Sequence, residues 1–142
     1  MTTAQNSVLT SKLFGGGKAE PEAGPRLHQG REVIDPAVLR RWTDTQPNFR
    51  ENMVPMFQDD LRACKESIRN GIDARDKAQT TQGSNGLRSL GATIGSKPLR
   101  DDAQMITEAV ERGNWDKVIA YRETLFELVD LCDAALGAVR KG

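Results

Sequence analysis

Between residues 77 and 95 the chain reads "KAQTTQGSNGLRSLGATIG", and its polar side chains return at helical spacing. Gln82, Asn85 and Ser89 recur at steps of three and four, and Arg88 lies one turn beyond Asn85, so together they form a polar strip on one side of a helix. Arg88 is a permanent cation with several N–H donors. Asn85 supplies a carboxamide whose nitrogen is delocalised into its carbonyl and is neither basic nor nucleophilic. The strip can therefore bind a partner, but Asn85 cannot form a covalent bond to one. Gly83, Gly86 and Gly91 interrupt the same helix, each at a cost of about 1 kcal/mol against alanine. Two physical reasons would offset that cost. Glycine lets a neighbouring helix approach closely, or it leaves a shallow floor on which a partner's loop docks.

Elsewhere the reactive residue types are sparse. Cys64 and Cys132 lack a CxxC spacing and fall on apolar helical faces, which reads as two buried free thiols. The single histidine, His28, sits among glycine, proline and charge, which reads as an exposed tail. There is no acid–base pair, metal-ligand spacing or phosphate loop, so neither an enzyme nor a cofactor is expected. Twenty basic residues balance twenty acidic ones, which leaves no electrostatic footprint for nucleic acid or an anionic membrane. No apolar run is long enough to span a bilayer, and the first residues lack the apolar core of a secretory signal, so a cytoplasmic location is expected.

The 142 residues suffice for one domain. Residues 1–31, with "FGGGKAEPEAGPRLHQG", read as a flexible arm, and residues 32–142 as the folded part. Asp35 and Pro36 open a short helix carrying Val38, Leu39 and Trp42. Asn48 and Glu51 form a capping box for a long helix with the stripe Phe49, Met53, Phe57, Leu61, Cys64 and Ile68, kinked at Pro55. Gly71 is read as its stop and Asp73 as the start of the next helix, which Gly95 closes. Ser96 and Pro98 open a further helix with Leu99, Ala103, Ile106 and Val110 on its apolar side. After Gly113 and Asn114 the last helix presents Val118, Tyr121, Leu125, Leu128, Cys132, Leu136 and Val139. No segment alternates with period two, so no strand is expected. Short loops imply antiparallel neighbours, hence an all-α, up-down-up-down four-helix bundle with a small N-terminal helix across one end.

The stretch "SNGLRSLGATIGSKPL" resembles the core of a histidine-containing phosphotransfer (HPt) domain, the relay module of two-component signalling. That motif runs His-x-Leu-Lys-Gly-Ser-(x)3-Leu/Ile-Gly-Ala-(x)2-Leu. Leu87, Ile94, Gly95 and Leu99 match it in kind, Arg88 keeps the cation, and Ser89 replaces a glycine with another small residue. The similarity extends over residues 33–140, through "VIDPAVLRRW", "FRENMVPMFQDDLRACKESI" and "GNWDKV". Asn85 stands where the family has the histidine that accepts a phosphoryl group from a receiver's aspartyl phosphate. The resemblance thus implies a pseudo-HPt protein, a monomer that binds a response-regulator receiver domain or a histidine kinase without carrying phosphate. It also implies a docking face made of Gln82, Gly86, Arg88, Ser89 and Met56 around Asn85, with Val38 and Trp42 nearby. The residues alone also allow Met56 and Trp42 to belong to the core, and for Trp42 they favour it. Two other readings are a phosphotransfer protein whose histidine was replaced by an engineered asparagine, and a helical scaffold unrelated to phosphorelay.

Overall fold

The computed structural model describes residues 27–141, so most of the expected arm lies outside the described residues. The part that is described is ordered, contrary to expectation. Leu27–His28 (β1) pairs antiparallel with Arg31–Glu32 (β2), in the register Leu27↔Glu32 and His28↔Arg31. Gln29 and Gly30 both take positive φ, 55° and 76°, which matches the twist of a two-residue hairpin turn. Strands of two residues are too short for alternation to show, which is why none was expected. The ribbon brings Val33 and Ile34 into the core and buries His28, so His28 is not on an exposed tail.

The first helix, α1, spans Pro36–Thr45, with the Asp35 carboxylate accepting from Ala37 N at 2.9 Å. Asp35 N donates to Gly95 O at 2.9 Å, and Trp42 Nε1 donates to Thr93 O at 2.9 Å. Both carbonyls lie at the end of a later helix and would otherwise lack partners. Trp42 stacks on Phe49, with centroids 5.5 Å apart and planes 9° apart, and meets Phe57 edge-on.

The expected capping box and proline kink are both replaced by another device. Asn48 makes no side-chain cap; instead Phe49–Met53 forms a π turn, and Asn52 N and Met53 N both reach Asn48 O. Helix α2 (Val54–Ala74) then starts afresh with Pro55 in its first turn, where a missing N–H disrupts nothing. Nor does Gly71 stop this helix. It is buried inside α2, and a Cβ there would lie 2.3 Å from Thr80 Oγ1 on the next helix. The turn comes later, at Arg75 with φ 53°, and Asp76 rather than Asp73 caps α3 (Lys77–Ile94) by accepting from Gln79 N at 3.0 Å.

Gly95, at φ 85°, closes α3 as expected. Ser96 caps α4 (Lys97–Glu111), and Asn114 accepts from Lys117 N at the start of α5 (Trp115–Lys141). The architecture is all-α apart from the ribbon. Helix α2 packs on α3 and α5, and α4 packs on the same two. Contacts between neighbours run in opposite directions. Gly71 meets Thr80 while Cys64 meets Gly83 and Gly86; Ser84 meets Thr107 while Gly91 meets Arg100. Gln58 binds Asp133 while Lys65 binds Asp130, and Asp102 binds Tyr121 while Cys132 meets Ser96. Between the four helices Leu61, Ile68, Leu87, Ile94, Leu99, Ile106, Leu125, Leu128 and Leu136 are fully buried.

Two of the interior glycines of α3 are now explained. A Cβ on Gly83 would lie 2.8 Å from Cys64 O, and one on Gly91 2.7 Å from Arg100 N, in both cases against backbone. Helix propensity alone would make Gly91→Ala stabilising by about 1 kcal/mol; the overlap reverses the sign. Urea unfolding should show Gly83→Ala and Gly91→Ala each less stable by about 1–3 kcal/mol. A stabilised Gly91→Ala variant would mean that the helices stand further apart.

Candidate functional site

Helix α3 turns Gly83, Ser84, Leu87, Leu90, Gly91 and Ile94 inward against α2 and α4. That orientation fixes what it shows outward. Gln82, Asn85, Arg88 and Ser89 are all exposed, as the spacing implies. Arg88 is the only charged residue between Ala78 and Ile94, and α3 contains no carboxylate. The polar strip is therefore an uncharged surface bearing one cation.

Gly86 lies at the edge of this surface rather than on its open part. It is half-buried, and a Cβ there would come within 2.5 Å of Cys64 Sγ. Met56 is 49% exposed, so it is not core. It stands apart from Asn85, however. Cys64 is level with Gly86 across the α2–α3 seam, and Met56 precedes Cys64 by eight residues, about two turns toward the end that α1 crosses. Trp42 and Val38 sit at that same end, both half-buried, Trp42 on Phe49 and Val38 against Gly95. Gln82, Asn85, Arg88 and Ser89 thus form one group, and Met56, Trp42 and Val38 a second.

Hydrogen bonds hold the first group in place. Asn85 Oδ1 accepts from Thr107 Oγ1 at 3.4 Å, and that hydroxyl is anchored by buried Ser84 Oγ at 2.6 Å. The Arg88 guanidinium donates to Gln104 Oε1, and Gln104 Nε2 donates to Glu108 at 2.9 Å. Among the described residues Arg88 pairs with no carboxylate, and neither do Arg40 and Arg41 on α1. Arginine unpaired with protein acids keeps its charge available to a partner's acids.

The thiol at the edge of this face, Cys64, is not activated as a nucleophile. Burial pushes the Cys64 thiol up, with Asp60 adding to the effect, and burial holds Cys132 at about 11 against the ordinary 9.0. Neither thiol provides appreciable thiolate near neutral pH. Among the described residues no group of three His, Cys, Asp or Glu side chains could hold a metal ion, and no helix is long and apolar enough to cross a membrane.

A second polar cluster, unforeseen in the sequence, fastens the ribbon to α4 and α5. Arg31 binds Asp102 with both terminal nitrogens, at 2.8 and 2.9 Å, and Tyr121 Oη donates to the same carboxylate at 2.9 Å. Hydrogen bonding to Asp102 raises the Arg31 pKa; burial, then the bond to Asp102, raises that of Tyr121. His28 Nδ1 faces Arg31 Nη2 at 3.4 Å and its Nε2 faces Glu127 at 3.3 Å. Both ring nitrogens of the only histidine are engaged in the folded ribbon, between α4 and α5. The Gln-Gly pair at 29–30 was the one local sign of this hairpin.

Comparison with protein-family models, with curated proteins and with solved structures finds no match.

Asp102 is almost fully buried, and among the described residues Arg31 is its only cationic partner. Removing that partner leaves a buried charge held by Tyr121 alone. Arg31→Ala should lower stability by about 2–3 kcal/mol, discounted for the partial exposure of Arg31. The Arg31→Ala/Asp102→Asn double variant should recover part of the loss in thermal unfolding. Additive losses would show that the pair is not coupled.

Proposed function

We propose that the chain is a degenerate HPt protein, an up-down-up-down four-helix bundle with a short N-terminal helix that binds a response-regulator receiver domain or a histidine kinase and passes no phosphate. The observation that carries this reading is the exposure of Asn85 at the middle of α3, beside an unpaired arginine, on a helix without carboxylates. An acidic partner meets a cation and hydrogen-bond donors there and no repulsion from α3 itself. Ser89 and the nearby backbone of Gly86 keep the surface low, while Arg40 and Arg41 on α1, with Met56, extend it toward the crossed end. Asparagine at the phospho-acceptor position leaves no lone pair able to attack phosphorus. His28 is no substitute, because both its ring nitrogens are engaged. On this reading the protein is a cytoplasmic, monomeric competitor or adaptor, neither an enzyme nor a holder of cofactors.

A second reading, a helical scaffold with no signalling partner, draws on one observation. Gly71, Gly83 and Gly91 are explained by helix packing without any docked ligand. The two readings part on Arg88, which a scaffold does not need.

Titration of the full chain against receiver domains from the same organism separates them. We expect saturable binding to at least one receiver, weakened tenfold or more by Arg88→Glu and weakened by added salt. An unaffected Arg88→Glu variant, or no binding receiver, would favour the scaffold. Asn85→His with a phosphorylated receiver should leave acid-labile label on the chain.

A further inference from the structure

The direction of the ribbon fixes the end of the bundle at which the preceding chain joins it. In the register Leu27↔Glu32 and His28↔Arg31 the turn lies at Gln29 and Gly30, so the open end of the ribbon is at Leu27 and Glu32. Three residues past Glu32, Asp35 N is bonded to Gly95 O, at the end of the bundle that α1 crosses. Leu27 is 60% exposed and lies within about 15 Å of Asp35, one strand spacing plus three extended residues. The strand direction at Leu27 thus points the preceding chain toward the crossed end.

That end is incompletely covered. No residue of α1 is buried, and Val38, Leu39 and Trp42 on its apolar side are each half-buried. Met56 beside them is 49% exposed. An amphipathic helix is stable when its apolar stripe is hidden. Arg40 and Arg41, exposed on α1, pair with no carboxylate among the described residues. The occupant that fits is an apolar segment joined to acids.

Residues 1–26 supply both. The stretch "SVLTSKLF" groups Val8, Leu9, Leu13 and Phe14, three glycines follow at 15–17, and Glu20 and Glu22 are the only acids before Leu27. Extended chain from Leu27 to Phe14 reaches about 43 Å, and α1 is only about 15 Å long. We infer that residues 8–22 cover the crossed end in the free protein: Glu20 and Glu22 meet Arg40 and Arg41, and Leu13 and Phe14 lie on Met56 and Trp42. A tethered segment needs little intrinsic affinity, because its effective concentration is millimolar. The docking itself stands apart from the receiver-binding reading, and only its consequence rests on that reading. A partner that uses α1 and Met56 has to displace the segment, so its apparent affinity falls with the fraction of molecules in which the end is free.

NMR of the full chain with methyl-labelled methionine tests the contact with no receiver present. The Met56 methyl should show a nuclear Overhauser effect to the Phe14 ring. Phe14→Ser should abolish it and shift the Met56 methyl and the amides of Leu39–Trp42, while the Met105 methyl on α4 stays in place and reports an intact bundle. Glu20→Arg/Glu22→Arg should also release the segment, and adding Arg40→Glu/Arg41→Glu should restore part of the contact. A Met56 methyl that has no contact with Phe14 and does not move in Phe14→Ser would overturn the inference. So would a contact seen only between differently labelled copies in a mixed sample, which would place the segment on a second molecule.

Discussion

The close approach of α2 and α4 to α3 is the constraint on which the rest depends. Cβ atoms at Gly71, Gly83 or Gly91 would overlap the neighbouring helix, in each case against backbone. At those points backbones meet without intervening side chains, so α3 cannot rotate about its axis without a clash. Its inward side is set by the glycines and by Leu87, Leu90 and Ile94. Its outward side follows from that setting. Asn85, Arg88 and Ser89 are exposed because the opposite face of the same helix is locked.

The two polar clusters divide the labour of the fold. The ribbon cluster of His28, Arg31, Asp102, Tyr121 and Glu127 is turned inward and largely satisfied within itself. A bidentate arginine beside a buried carboxylate has little to offer a partner and much to offer the ribbon it fastens. The α3 group has the opposite character. Its hydrogen bonds to Thr107 and Gln104 orient Asn85 and Arg88 but do not exhaust them. The contrast separates an inward-turned clamp, which holds the only histidine, from an open polar face.

Most helices were legible in the sequence, because their ends are written in local chemistry. Asp35, Ser96 and Asn114 cap as their types suggest, and Gly95 and Gly113 take the positive φ that ends a helix. What misled was tertiary. Gly71 has the composition of a stop but serves close packing, and Arg75, a residue with no such signature, takes the left-handed turn. Pro55 opens a helix behind a π turn, a geometry that no periodicity announces. The ribbon depends on an ion pair between Arg31 and Asp102, 71 residues apart, and nothing local to either forecasts it. The α3 strip was readable because a single helix supplies it; the distance of Met56 from Asn85 was not, since it depends on the register between two helices.

Amide chemical-shift mapping of the full chain during titration with a binding receiver domain tests most directly whether α3 carries the binding surface. The largest shifts should fall between Gln82 and Thr93, with smaller ones at Met56 and on α1, and the ribbon and α5 should stay unperturbed. Shifts centred on α5 or on His28 and Arg31, with α3 unmoved, would contradict it.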